Sequence, residues 1–368
     1  MGGIMEVKFF KPGLPEWDLV KHDLEETYRQ GILYPGKYTL RLEEMMRAHF
    51  GTKYAFAINN CSNALILLMC DLQAGSKVIM PSYTFRATAQ AAEWNNLTIV
   101  LTDVDESGYM DPDSLEDCLK KHPDAKCVMP VNLWGNCTYI EQVRDLCAKA
   151  KVRLVYDSAH GMSSEYDGKP IGDLGSASCF SIAVTKPLAC GEGGIVTTNN
   201  DHLAKIIEMG RLHGNVFGNL DCVQKGLNAK IGEINSILAL HGMPMVNKSR
   251  DAREELAQFY MSNLKDLPLR FQSIDPRCKT SRKDFGFWVE DKKTRNRLKS
   301  FLENSGIGMK AYFHPVVHEY TNFDGIIHKV DMSEKLSGTC LNLPCYDQIT
   351  NEERVYIVEK IKEFYGQN

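Results

Sequence analysis

Lys186 carries the most informative chemistry in this chain. It stands in Ser181-Ile-Ala-Val-Thr-Lys186-Pro-Leu-Ala-Cys-Gly191-Glu-Gly-Gly194, between two apolar runs and ahead of three glycines. A lysine held in a partly dry crevice can lose its proton and attack a carbonyl, forming a Schiff base. Nearby glycines let backbone approach a ligand closely or take positive φ. Asp157 directly follows the apolar run Arg153-Leu-Val-Tyr156, in Asp157-Ser-Ala-His160-Gly161. A carboxylate there is a ligand anchor or a helix N-cap. Asn59-Asn-Cys61-Ser62-Asn63 joins a strand-like run to a helix-like one, and free N–H groups at such a start suit a phosphate. Pro81-Ser-Tyr-Thr-Phe85 puts an aromatic at another strand end, where it stacks on a planar ligand or fills the core. Taken singly, each signal has a plain structural reading. Together they describe one planar, phosphorylated ligand with a basic ring nitrogen and an aldehyde. Pyridoxal 5'-phosphate needs this set: a lysine, a carboxylate for the ring nitrogen, a phosphate cradle and a stacking face.

The elements that must position these residues are legible between residues 50 and 160. Runs at 54–58, 77–80, 98–101, 127–129 and 153–156 read as strands, and 63–73, 87–94, 112–121 and 140–150 read as helices. Short apolar strands alternating with helices of about ten residues are βαβ units, which build a mostly parallel sheet with helices on both faces. Ligands bind beyond the carboxyl ends of such strands, where the stretches above lie. Runs at 177–181 and 195–198 are two further strands joined by the lysine–glycine loop, 232–264 is helical, and 351–364 is the last helix.

Composition excludes several classes of function. The 368 residues carry 43 Lys+Arg against 47 Asp+Glu, a net charge of −4, so the basic excess of a dedicated nucleic-acid binder is missing. No apolar stretch is long enough for a membrane span, and the first residues lack a signal-peptide core. Twelve cysteines show no Cys-x-x-Cys spacing and no zinc-like cluster with histidine, so they are expected to be reduced packing residues with no metal.

The motifs resemble the DegT/StrS family of pyridoxal-phosphate-dependent aminotransferases, best known for sugar nucleotides. The resemblance runs from about residue 6 to 363 through Lys186 with Gly-Glu-Gly-Gly, Asp157-x-x-His160-Gly, Pro81-x-x-Thr84-Phe85-x-Ala87-Thr88, Gly226-Leu-Asn228-Ala-Lys230-Ile-x-Glu233, Phe313-His314-Pro315 and Leu343-Pro344. It implies an α/β fold-type-I transferase. A large cofactor domain is expected over residues 1–245, with its N-terminal segment packing on a smaller C-terminal α+β domain over 246–368. Lys186 would hold the cofactor as a Schiff base and shuttle the proton, and Asp157 would keep the ring nitrogen protonated. His160 would bond the phenolic oxygen and Phe85 would stack on the ring. Cys61, Ser62 and Ser181 would hold the phosphate, and Asn228 would reach the phosphate region of a neighbouring subunit. Tyr34, Lys37, Lys230, Tyr312 and His314 are the substrate candidates.

The implied assembly is a cytoplasmic homodimer with shared active sites and no nucleic-acid or membrane partner. It would move an amino group, from glutamate as donor, to a keto sugar linked to a nucleotide. A cyclitol aminotransferase or a sugar dehydratase on the same scaffold is the alternative. The dehydratase branch replaces the lysine with histidine, so Lys186 favours transamination. Three departures bear on substrate choice: Cys61 where the family usually has glycine, Ile182-Ala183 where Phe-His is frequent, and Asn132 where histidine is frequent.

Overall fold

In the computed structural model, which describes residues 5–215 and 221–366, two helices precede the first strand: α1 (Trp17–Gln30) and α2 (Lys37–Phe50). An alternating series follows: β1 (Tyr54–Ile58), α3 (Cys61–Leu67), β2 (Lys77–Pro81), α4 (Arg86–Glu93), β3 (Thr98–Thr102), α5 (Pro112–Lys121), β4 (Cys127–Val128), α6 (Ile140–Ala150) and β5 (Arg153–Asp157). A small hairpin, β6 (Glu165–Tyr166) and β7 (Lys169–Pro170), leads to β8 (Ala177–Ser181), β9 (Gly194–Thr198) and α7 (Asp201–Gly210). The C-terminal half runs α8 (Glu233–Gly242), α9 (Val246–Leu264), β10 (Arg270–Phe271), β11 (Cys278–Lys279), β12 (Phe285–Trp288), α10 (Lys292–Asn304), β13 (Gly325–Ile327), α11 (Asp331–Thr339), β14 (Cys340–Leu343) and α12 (Asn351–Gly366).

Eight strands form the central sheet in the order β1-β9-β8-β5-β4-β2-β3-β13. All neighbours are parallel except those of β9, which runs antiparallel to β1 and β8. Alternate residues serve opposite faces, as a period of two requires. Ile79 and Val100 enter one apolar core, while Val78, Met80, Ile99 and Leu101 enter the other. Both faces are covered, which is why the strands read as unbroken apolar runs.

Helix α3 is shorter than the 63–73 expected, beginning at Cys61 and ending at Leu67. The Arg153 guanidinium takes the Leu68 carbonyl at 2.9 Å and the Asp71 carboxylate at 2.7 and 2.6 Å, and the chain turns there. Glu233 holds the start of α2, where its buried carboxylate accepts the Tyr38 and Thr39 N–H groups, each at 2.9 Å. That contact satisfies donors a helix start leaves free and sets an anion at the positive end of the helix.

The C-terminal half has its own three-stranded antiparallel sheet, β10-β12-β14. Its core includes Leu256, Phe285, Phe287, Leu298 and Ile361, and also Val7, which pairs in parallel with Ile307. In the other direction, β13 adds a strand to the edge of the central sheet beside β3. Its residues are half-buried or exposed, so no apolar pattern announces it.

Candidate active site

The carboxyl ends of β1, β5 and β8 open into one cavity of about 310 Å³. Lys186, Asp157, His160 and Phe85 line it, joined by Cys61, Ser62 and Ser181 from the two strand-to-loop turns and by Tyr312 from the C-terminal half.

Lys186 sits on the loop between the antiparallel strands β8 and β9. That loop is a tight excursion: Ile182 N–H donates to the Gly193 carbonyl at 2.9 Å and Val184 N–H to that of Gly191 at 2.8 Å. Gly191 has φ +94, a value that disfavours side chains. At Gly194 a Cβ would come within 2.8 Å of Cys61 N, so a glycine lets β9 lie against the start of α3. Lys186 is half-buried as a residue, with its amine enclosed. Burial, and then the nearby Lys283 ammonium, bring it down to about 8.

Asp157 ends β5 and is 4 % exposed. Its Oδ2 accepts the Thr88 hydroxyl at 2.8 Å and its Oδ1 the Ala159 N–H at 3.1 Å. Burial pushes the carboxyl up, while Thr88, Ala159 and the Lys186 ammonium draw it back. Thr84 in turn bonds Thr88 at 2.9 Å, so the Pro81–Thr88 motif supports the carboxylate from behind. Thr88→Val keeps the shape and removes the donor. It is expected to cost about 1–3 kcal/mol of stability and to push Asp157 higher still; a urea midpoint equal to wild type would sink this role for Thr88.

His160 receives the Trp134 N–H on Nδ1 at 3.2 Å. The neutral ring therefore carries its proton on Nε2. Burial, then Lys186 and Lys283, hold it well below the usual histidine range. Phe85 is 44 % exposed, leaving a ring face free at the cavity. Cys61 needs no positive φ: it opens α3, with its Sγ 3.0 Å from that of Cys179. Asn60 caps the Asn63 N–H at 2.8 Å, and the helical geometry leaves the Cys61 and Ser62 N–H groups without intrahelical acceptors.

Other candidates lie outside this cavity. Asn228 is exposed, and its carbonyl accepts from Asn59 at 3.3 Å. Lys230 lies over the Tyr34 ring at 5.5 Å. Lys37 is exposed and paired with Glu26 at 2.7 Å. His314 lines an adjoining groove of about 560 Å³ that shares Phe85, Tyr312 and Phe313 with the cavity. Arg86, Lys292, Arg295, Lys299 and Lys310 give that groove its positive charge, with Glu303 paired to Lys299.

Sequence reasoning missed Lys283. It lines the cavity and donates to Asp284 at 2.7 Å, with both residues buried. The free Asp284 Oδ2 lies 4.0 Å from His160 Nδ1. An adjacent Lys-Asp pair just ahead of the apolar run Phe285–Trp288 was the available signal.

The sequence profile of the DegT/DnrJ/EryC1/StrS aminotransferase family matches residues 18–362. The UDP-4-amino-4,6-dideoxy-N-acetyl-beta-L-altrosamine transaminase of Campylobacter jejuni is 26 % identical over 359 residues, 93 % of this chain and 95 % of that protein. Among solved structures, DesI with its TDP-sugar product is 26 % identical with a TM-score of 0.89, covering 100 % of this chain and 95 % of DesI. NtdA of Bacillus subtilis with bound PMP shares the fold at 22 % identity and a TM-score of 0.86, covering 95 % of this chain and 82 % of that one. The profile spans nearly all of the chain, strands and lysine loop included, and this protein therefore belongs to the DegT/DnrJ/EryC1/StrS aminotransferase family.

Proposed function

We propose that the protein is a pyridoxal-phosphate-dependent transaminase that moves an amino group from glutamate to a keto sugar linked to a nucleotide. The observation that carries this reading is the joint arrival of the Lys186 amine and the buried Asp157 carboxylate in one cavity. The donor set fits the cofactor. A buried carboxylate with two neutral donors and a free ring face beside it suits a protonated aromatic nitrogen, and two free N–H groups with the Ser62 and Ser181 hydroxyls suit a phosphate.

When bound, pyridoxal phosphate supplies a carbonyl for amines and a cationic ring that draws electrons. Lys186 Nζ would hold it and, once released, would move a proton at the substrate carbon bearing nitrogen. Asp157 would keep the ring nitrogen charged, fixed in direction by Thr88 and Ala159. His160 would offer its Nε2 proton to an oxygen on the ring. The groove beside Tyr312 suits the acceptor's phosphates: Arg86, Lys292 and Lys310 line it and are exposed.

The functional unit would be a homodimer with shared sites. Tyr34, Asn228 and Lys230 lie outside their own chain's cavity, and Trp17 at 67 % and Tyr28 at 86 % exposure form part of an apolar surface a second copy would cover. A reducing, cytoplasmic setting accords with twelve unpaired cysteines, eleven of them buried; no helix among the described residues is long and apolar enough to cross a membrane. The test is a half-reaction followed by product analysis. Glutamate should bleach the visible absorbance of the loaded protein, and the amine should then appear on a UDP-, GDP- or TDP-linked keto sugar. Transfer to a cyclitol ketone with none to any nucleotide sugar would overturn the substrate assignment.

A further inference from the structure

A second cluster of reactive side chains lies at the far edge of the central sheet, where β13 joins β3. Cys118 and His122 are four residues apart on and just beyond α5, so they share a face. His328 follows β13, with its backbone N–H bonded to the Leu101 carbonyl of β3 at 3.0 Å. One donor atom from each of the three lies within 4.8 Å of the others. Cys118 is fully buried and the His328 side chain is 6 % exposed. His122 Nδ1 is buried and has no partner among the described residues. Asp117 Oδ2 lies 3.1 Å from His328 Nε2, the kind of outer contact that orients a metal-bound imidazole. Of the flanking lysines, Lys121 shares that same Asp117 Oδ2 at 3.0 Å, and Lys77 pairs with Asp124 at 2.9 Å.

We propose that Cys118, His122 and His328 form a binding site for a zinc-class divalent ion that clamps β13 and the segment after it onto α5 and the sheet edge. One thiolate and two imidazoles are a borderline-soft donor set, which selects zinc over magnesium or calcium. Water takes the fourth position. The Cys118 thiol proton leaves to solvent as the sulfur–metal bond forms. The site answers a structural need. β13 has three residues, none fully buried, so apolar packing holds it weakly, and an ion bridging it to α5 would add what burial does not. The expectation of no metal rested on linear cysteine spacing, which cannot register a histidine contributed from far downstream.

The experiment uses the full-length holoenzyme, stripped with a chelator and titrated with Zn²⁺ alone. One tightly held ion per chain is expected, with one sulfur at about 2.3 Å and nitrogens at about 2.0–2.1 Å by zinc X-ray absorption. Zn²⁺ should raise the melting temperature of wild type. Cys118→Ser should remove the sulfur signal. His328→Gln should weaken binding more than Asp117→Asn, for which about 10–100-fold is expected. The wild-type spectrum requires no variant to fold. The proposal is overturned if no zinc is retained at micromolar free ion, if the spectrum contains no sulfur or two sulfurs, or if His328→Gln binds as wild type does. Two sulfurs would send the ion to a cysteine pair such as Cys137 and Cys278, whose Sγ atoms lie 3.2 Å apart.

Discussion

Replacing Lys186 with methionine is expected to abolish transamination and, at the same time, to stabilise the cofactor-free protein. The activity loss should exceed about 10⁴-fold, because one residue serves both as the covalent holder and as the proton carrier. The stability gain follows from the same amine. Burial, then Lys283, bring Lys186 from 10.5 to about 8 in the folded chain. The unfolded chain therefore binds more protons than the folded one between those values, and stability rises with pH across that window. At neutral pH the charged amine is at its full cost, about 2 kcal/mol after allowing for the partial exposure of the residue. Methionine removes the charge and keeps the stem. Its advantage should be largest near pH 7 and fade as pH climbs from 8 towards 10.5. Denaturant melts of the two cofactor-free proteins at pH 7 and pH 10 decide this: equal stability at pH 7, or a gap that widens at pH 10, refutes it. The same titration governs cofactor uptake, since at pH 7 only about a tenth of the amine is unprotonated. Reconstitution should therefore quicken about fivefold between pH 7 and 8 and about tenfold in all by pH 9, then level off.

Asp157→Asn is expected to leave the fold intact and to lower turnover by about 10³-fold. Asparagine matches the shape but not the charge. Its amide group also brings two donors to a place where the Thr88 hydroxyl and the Ala159 N–H already donate, so one of those donors loses its acceptor. The ring nitrogen would lack the anion that keeps it protonated. Cofactor content, read from absorbance, should fall far less than turnover. A variant that retains a tenth of wild-type turnover at equal occupancy would show that the carboxylate does not act on the ring.

The central-sheet strands other than β13 were readable because nearly all their residues are buried, and short unbroken apolar runs admit few other interpretations. Pro112 opens α5 and Ile140 opens α6 as expected. Helix α3 was overextended because its apolar spacing continues past Leu67, whereas the chain turns where the distant Asn95 amide takes the Ile66 carbonyl and the Arg153 guanidinium the Leu68 carbonyl. β13 was invisible, since a short, half-exposed edge strand lacks periodicity. Lys186 and Asp157 were legible because they follow strand runs, and in a parallel sheet all strand ends face one crevice.

The chain's own order of residues was enough to determine the βαβ series, the strand ends that carry Lys186, Asp157 and the Cys61–Ser62 turn, and the family. Tertiary structure alone decided three things: that Lys283 reaches the cavity from the C-terminal half, that Tyr34, Asn228 and Lys230 stay outside it, and that His328 meets Cys118 and His122. Apolar periodicity records which face of an element is buried. It carries no record of which distant segment lies against that face, because that depends on strand order and on how the C-terminal half docks.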